Sequence, residues 1–149
     1  MEPTQPIRIH QEHSSEREQV LELLRQSGLP VEDIVYGCHI HFLVAENEGS
    51  VAGCIGVEFA SGHALIRSLA VRTANRGAGI GGRLLEAAES LCRQRGVRDS
   101  FLLTLTAEPF FARRGYQRIE RDGAPDDIAA TTEFASLCPV SSAFMTKRL

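Results

Sequence analysis

Ala64-Leu-Ile-Arg-Ser-Leu-Ala-Val-Arg-Thr-Ala-Asn-Arg-Gly-Ala-Gly-Ile-Gly-Gly-Arg-Leu-Leu-Glu-Ala-Ala-Glu-Ser-Leu-Cys92 passes from an apolar strand, through a polar turn and a glycine-rich loop, into an amphipathic helix. Ile80, Leu84, Leu85, Ala88, Leu91 and Cys92 recur at the helical period, and Arg83, Glu86, Glu89 and Arg93 take the other face. The spacing predicts a helix over 80–95, closed by Gly96. At its start, Gly77, Gly79 and Gly81 remove side chains where the first turn's N–H groups point. A phosphate can therefore approach the main chain at the positive end of the helix dipole.

Gly77-Ala-Gly-Ile-Gly-Gly82 also spells the dinucleotide fingerprint. That fold needs its glycines directly after the strand, whereas Arg72 to Arg76 intervene here. It also needs an acidic residue closing the next strand, and Phe101-Leu-Leu-Thr-Leu105 ends without one. No Gly-Lys-Ser/Thr follows the glycines, which excludes a P-loop.

Upstream, Ile7-Arg-Ile-His10 alternates as an edge strand, and Ser15 with Glu18 forms a capping box for a helix carrying Val20, Leu21, Leu23 and Leu24. Gly28 and Pro30 stop that helix, and Val31–Tyr36 reads as a short helical turn or loop. His41–Glu46, Val51–Phe59 and the strand ending at Val71 are joined by tight turns into an antiparallel meander. Only then does the helix 80–95 cross over to Phe101–Leu105, an order unlike that of a doubly wound sheet. Thr106 is placed to cap the next helix, with Pro109 in its first turn and Gly115 at its end. A strand from Tyr116, a short helix from Pro125 to about Phe134, a turn at Ser136–Pro139 and a closing strand Ala143–Lys147 complete the chain.

At 149 residues the sequence is read as a single domain, 1–149. Hydrophobic residues at 43% and charged residues at 23% describe an ordinary globular chain, and no apolar run reaches membrane-spanning length. The start, Met1-Glu-Pro-Thr-Gln, has neither a basic region nor an apolar core, so the expected location is the cytoplasm, with no membrane partner. Cys38, Cys54, Cys92 and Cys138 are widely spaced and read as reduced thiols, with no metal site. The net charge is −3, yet seven arginines face only Glu86 and Glu89 between Arg67 and Arg98. That local excess suits a polyanionic cofactor, whereas an acidic chain with a single lysine argues against nucleic acid.

Arg76-Gly-Ala-Gly-Ile-Gly81 resembles the Arg/Gln-x-x-Gly-x-Gly/Ala signature of the GCN5-related N-acetyltransferases, the GNAT superfamily. Ile66-Arg-Ser-Leu-Ala-Val71 is similar to the strand preceding that signature, and Phe101 to Gly115-Tyr116 to the strand and helix that follow it. The resemblance implies an α/β (α+β) GNAT fold: a mixed central sheet of about six to seven strands, antiparallel meander first, a splayed parallel pair at the acetyl-CoA site, and helices on both faces. It implies acetyl-CoA as co-substrate and a small-molecule amine as acceptor, and homodimers are common in the family. It assigns cofactor binding to Leu69, Ala70, Val71, Arg76, Gly77, Ala78, Gly79, Ile80, Gly81, Thr106, Phe110, Phe111 and Arg113.

Three positions depart from the family pattern. Phe111 stands where a tyrosine acid is frequent, and Thr104 where an asparagine often ends the strand. Arg67 stands where many members place a glutamate. Glu58, whose neighbours Val57 and Phe59 should face the other way, is read from strand alternation as the catalytic base or else as an exposed edge carboxylate. Glu108 is a further base candidate or a first-turn residue serving the helix dipole, and His41 and His63 are base candidates or loop histidines. Arg67 is read either as a bidentate clamp for an acceptor carboxylate or as an outward strand arginine in an ion pair. Thr104 is read as substrate-binding or as a cap.

A narrower likeness runs through Gly28-Leu-Pro30, Glu58, Leu65–Val71, Leu102–Ala112 and Thr131–Pro139. These stretches resemble N-acetyltransferases encoded in arsenic-resistance operons, and in part short N-acetylglutamate synthases. Both suggest an amino acid or amino-acid analogue as acceptor. If trivalent arsenic itself bound, Cys38 and Cys138 would be the thiols involved. The alternatives are an N-acetyltransferase for a polyamine, drug or peptide amine, and, in another class, a non-catalytic acyl-CoA sensor.

Overall fold

The structure, a computed structural model, describes residues 6–35 and 39–149. Seven strands form one sheet in the order β1-β2-β3-β4-β5-β7-β6, the mixed sheet that the sequence predicts. β1 (Arg8–Gln11), β2 (His41–Asn47), β3 (Ser50–Phe59) and β4 (Ala64–Val71) pair antiparallel in chain order. Glu48 and Gly49 both take left-handed backbone angles, the pattern of a two-residue hairpin turn that matches strand twist. α3 (Ile80–Gln94) then crosses over, and β5 (Asp99–Thr104) lies parallel to β4. β7 (Ala143–Arg148) pairs antiparallel between β5 and the two-residue edge strand β6 (Gln117–Arg118).

Strand alternation sends side chains to two cores. Leu43, Ala45, Val57 and Ile66 meet Ile80, Leu84, Leu85 and Ala88 of α3 on one face. Phe42, Val44, Cys54 and Ala70 meet Val20, Leu21, Leu23 and Leu24 of α1 (Arg17–Gln26) on the other. Further along that second face, Leu65, Phe101 and Phe144 cover Ile128 of α5 (Asp126–Ala129). Each fully buried aliphatic side chain contributes about 1.5–3 kcal/mol, so the sheet is clamped from both sides.

Two irregularities shape the middle of the sheet. Cys54 pairs with Ala70 and Gly56 with Arg67, so Ser68 and Leu69 stand together against Ile55 alone. This bulge bends β4 and puts Ser68 at a φ of 55°, a rare angle for a residue with a side chain. The parallel ladder between β4 and β5 stops at Ile66 and Leu102, although both strands continue. Past that point the strands diverge and open a fork.

Small shifts separate expectation from structure. The N-terminal cap is His13 with Glu16, whose Oε1 accepts the His13 N–H at 2.8 Å, rather than Ser15 with Glu18. A 3-10 turn at Ser14–Glu16 absorbs the difference. Thr104, not Thr106, serves α4 (Glu108–Ala112): its Oγ1 accepts the Ala107 N–H at 3.0 Å. α2 (Glu32–Val35) fulfils the predicted helical turn as far as Val35; Tyr36 and Cys38 lie outside the described residues. After α5, residues Glu133–Leu137 form a π-helical turn where the sequence suggests the end of one helix and a loose turn.

Candidate active site

The fork between β4 and β5 opens into two cavities. One, about 510 Å³, runs along Leu69, Ala70 and Val71, over Arg76, Gly77, Gly79, Ile80, Gly81 and Gly82, and against Thr106, Phe110 and Arg114. The other, about 500 Å³, is walled by Glu32, Arg67, Ser68, Leu102 to Thr104, Phe111, Glu133 and Cys138. Leu29, Leu69, Thr106 and Ala107 line both, so the cavities meet where the strands part.

The first cavity is built by the glycines. Gly77 and Gly79 adopt φ of 88° and 75°, and Gly79 is the N-cap of α3. A Cβ at Gly81 would come within 3.3 Å of the Phe110 ring, and one at Gly82 within 3.2 Å of the Arg114 guanidinium. Arg114 lies over the Phe110 ring at 3.8 Å and donates to the Phe110 carbonyl at 3.0 Å. Arg76 donates from Nε to the Val71 carbonyl at 3.2 Å, which fixes the loop to the end of β4. A fifteen-residue helix starts here, and the unpaired N–H groups of its first turn carry partial positive charge.

The second cavity carries a buried charge cluster. Arg67 is 3% exposed. Its Nη1 and Nη2 both donate to the Asp33 carboxylate, the latter at 2.8 Å. Nη1 also donates to Glu58 at 3.2 Å, and Nε donates to Ser68 Oγ at 3.1 Å and lies 3.8 Å from Glu133 Oε1. Burial weakens a guanidinium's charge, but Asp33 and the carboxylates of Glu133 and Glu58 more than offset it, so Arg67 stays charged. Gly56, paired with Arg67 across the strands, makes room for Ile40 and Phe42, because a Cβ there would come within 2.9 Å of Ile40 Cγ2 and 3.2 Å of the Phe42 ring.

Arg67 therefore lines the second cavity, yet its donors are already engaged by side chains of this chain. The clamp expected for an acceptor carboxylate is corrected to a buried anchor for three carboxylates. Nor is it the outward strand arginine of the alternative reading. Glu58 belongs to the same cluster through its bond with Arg67, but it does not line the cavity. Glu133 does line it, and its Oε2 is buried without an N–H or O–H partner. Burial pushes the Glu133 carboxyl up; Arg67 pulls it down; Asp33 and Glu58 push it up again, and a hydrogen bond from the Cys138 thiol lowers it slightly, leaving it at about 7. Cys138 beside it is also pushed up by burial and by Glu133, to about 12.

The remaining site residues divide. Thr104 and Phe111 line the second cavity, Thr106 lines both cavities and Phe110 the glycine-loop cavity. Ala78 and Arg113 line neither cavity, because Ala78 is exposed at the loop's crest and Arg113 turns outward where Arg114 turns in. Glu108 sits at the surface, 3.5 Å from Arg118. His63 pairs with Asp127 at 2.8 Å, and His41 packs on Phe59; neither reaches the fork. Tyr116 does not replace the missing tyrosine, since its hydroxyl is buried between Ser100 and Glu89 at 2.8 and 3.0 Å.

Among known proteins, the family model described as an acetyltransferase (GNAT) domain matches residues 38–118. An uncharacterized N-acetyltransferase of Chlorobaculum tepidum is 43% identical over 100 residues, 66% of this chain and 63% of that protein. An amino-acid acetyltransferase of Ralstonia nicotianae is 32% identical over 89 residues, 58% of this chain and 20% of that protein. The chain thus spans less than two thirds of the curated relatives it matches. Of solved structures, the Neisseria gonorrhoeae N-acetylglutamate synthase complexed with coenzyme A and N-acetyl-glutamate superposes with a TM-score of 0.81. It is 24% identical, over 99% of this chain and 36% of that one. A Mycobacterium tuberculosis protein in complex with CoA superposes with a TM-score of 0.77 at 25% identity, over 95% and 99% of the two chains. With the forked sheet, the glycine loop and a family model covering more than half of its residues, the chain belongs to the acetyltransferase (GNAT) domain family.

Proposed function

We propose that this chain transfers the acetyl group of acetyl-CoA to the amine of a small acceptor, in the first place an amino acid or amino-acid analogue. The carrying observation is the junction of the two cavities at Leu29, Leu69, Thr106 and Ala107. A pyrophosphate on the N–H groups of Gly77–Gly81 directs the pantetheine along Leu69–Val71 and delivers the thioester to the fork. An acceptor in the second cavity then meets the thioester carbonyl in line, and holding both partners there supplies much of the rate.

Transfer is direct. The Cys138 thiol, pushed up to about 12, remains protonated near neutral pH and is no nucleophile. The amino-acid reading is supported by the likeness to the Ralstonia amino-acid acetyltransferase. The likeness of Leu65–Val71 and Thr131–Pro139 to arsenic-resistance acetyltransferases adds an organoarsenical amino-acid analogue to the acceptors worth testing. Capture of the metalloid by paired thiols has less support, since Cys138 is the one cysteine lining the cavity among the described residues and Cys38 lies outside them.

A second reading is favoured by the state of Arg67. With its donors held by Asp33, Glu58 and Ser68, the cavity wall offers an acceptor more negative than positive charge, which suits an amine lacking a carboxylate. Thiol release from acetyl-CoA, followed across amino acids, arsenical and phosphinic analogues, polyamines, ethanolamine and peptides, tests both. Turnover with the amino-acid set supports the first reading, and turnover confined to carboxylate-free amines supports the second. CoA binding without turnover on any amine would contradict both and leave a sensor.

A further inference from the structure

Glu133 Oε2 is, among the described residues, the one buried carboxylate oxygen without an N–H or O–H partner, with the weak S–H donor of Cys138 beside the carboxyl. Buried polar groups are ordinarily satisfied, and an orphaned one in a cavity wall calls for a donor. The residue opens a five-residue π-helical turn, Glu133–Leu137, a widened helical form that recurs at functional sites. Facing Glu133 are Arg67 from β4, Asp33 from α2, Glu58 from β3 and Cys138 after the π turn, with Arg121 beyond Cys138. One guanidinium thus meets three carboxylates, and the cluster is short of positive charge. Glu32 lines the same cavity and adds to the deficit.

We propose that Glu133 binds the ammonium of the acceptor and takes its proton, so that the acceptor is a compact amine entering the cavity as a cation. This rests on the acetyltransferase reading above. The ammonium supplies what the cluster lacks, a positive charge and N–H donors for Oε2. Burial that raises the Glu133 carboxyl to about 7 matches its basicity to proton transfer near neutral pH. The Glu133 carboxylate accepts one proton from R–NH3+, and the freed lone pair attacks the thioester carbonyl carbon, forming the C–N bond. The C–S bond then breaks with its electron pair on sulfur. The second nitrogen proton passes to the thiolate, giving the amide and CoA thiol, and Glu133 releases its proton to solvent.

The test compares wild type with Glu133→Gln, which keeps the side chain's shape, using the panel amine with the highest turnover. CoA affinity by calorimetry and the far-ultraviolet circular dichroism spectrum serve as controls for folding and cofactor binding. The expected result is a fall in kcat of about 100-fold or more at pH 7, with CoA affinity unchanged. The gap should close as pH passes the amine's own pKa, and the wild-type limb near 7 should vanish in the variant. Carbon-13 NMR of the glutamate carboxyls should show one signal, absent in the variant, that titrates near 7. Saturating ethanolamine with CoA should move that titration down. A small loss equal at every pH, with the wild-type limb retained, would overturn the assignment while leaving acetyl transfer standing; so would the absence of any glutamate carboxyl titrating above 6. If wild type binds CoA but acetylates no amine, the acetyltransferase reading falls, and this proposal with it.

Discussion

Arg67 carries a full charge into the sheet one residue past the end of the parallel ladder, and it survives there because Asp33, Glu58 and Glu133 surround it. Arg67→Ala would leave three carboxylates without their cation, two of them buried. Breaking a buried ion pair by removing one partner costs about 3–5 kcal/mol. The expected outcome is that much loss in urea-unfolding stability, with activity failing through misassembly of the cavity rather than through KM alone. Glu133 adds a pH dependence whose sign follows from its raised pKa. The folded protein holds this proton up to about 7, whereas an ordinary glutamate releases it near 4.5. Its stabilising contribution is therefore complete below 4.5 and lost as pH rises through 7. Relative to wild type, Glu133→Gln should gain stability between pH 4.5 and 8, by roughly 3 kcal/mol at most at 1.36 per unit. Denaturant titrations at the two pH values check it; a constant difference would contradict it. Neither role was legible from spacing. Asp33 and Arg67 are 34 positions apart, and only the fold shows that Arg67 is already engaged. Glu133 reads as an unremarkable helical glutamate until the π turn aims it at the cavity.

At the scale of elements, local pattern sufficed where local physics decides. The helix 80–94, the hairpin at Glu48–Gly49 and the strand ending at Val71 follow from periodicity and turn chemistry, and the structure has them within a residue or so. The glycine loop was legible for the same reason, since its conformation is dictated by the residues within it. Gly79→Val tests that loop: a β-branched side chain at φ 75° carries strain of about 1–3 kcal/mol. CoA affinity by calorimetry should fall about tenfold or more, tenfold being about 1.4 kcal/mol, while the melting temperature drops by only a few degrees. Arg113 and Arg114 show the limit of such reading. Both suit a basic helix end, but whether one turns outward or over the Phe110 ring depends on a helical phase that five residues do not fix.

For the whole molecule, the meander followed by one crossover was readable because connection order constrains topology. The meeting of two cavities was not, because it depends on where a parallel ladder stops. That arrangement predicts kinetics: both substrates occupy the fork together, so initial-rate plots should intersect. No acetylated enzyme should be detectable by mass spectrometry after incubation with acetyl-CoA alone; parallel plots and an acetylated Cys138 would point to a covalent route instead. Among the described residues no helix is long and apolar enough to cross a membrane. The most direct measurement is a crystal structure of the chain with CoA bound. The pyrophosphate should rest on the N–H groups of Gly77 to Gly81, with the pantetheine along Leu69–Val71 and the thiol sulfur at the mouth of the cavity holding Arg67 and Glu133. A CoA whose pyrophosphate avoids the glycine loop, or whose sulfur points away from the fork between β4 and β5, would contradict it.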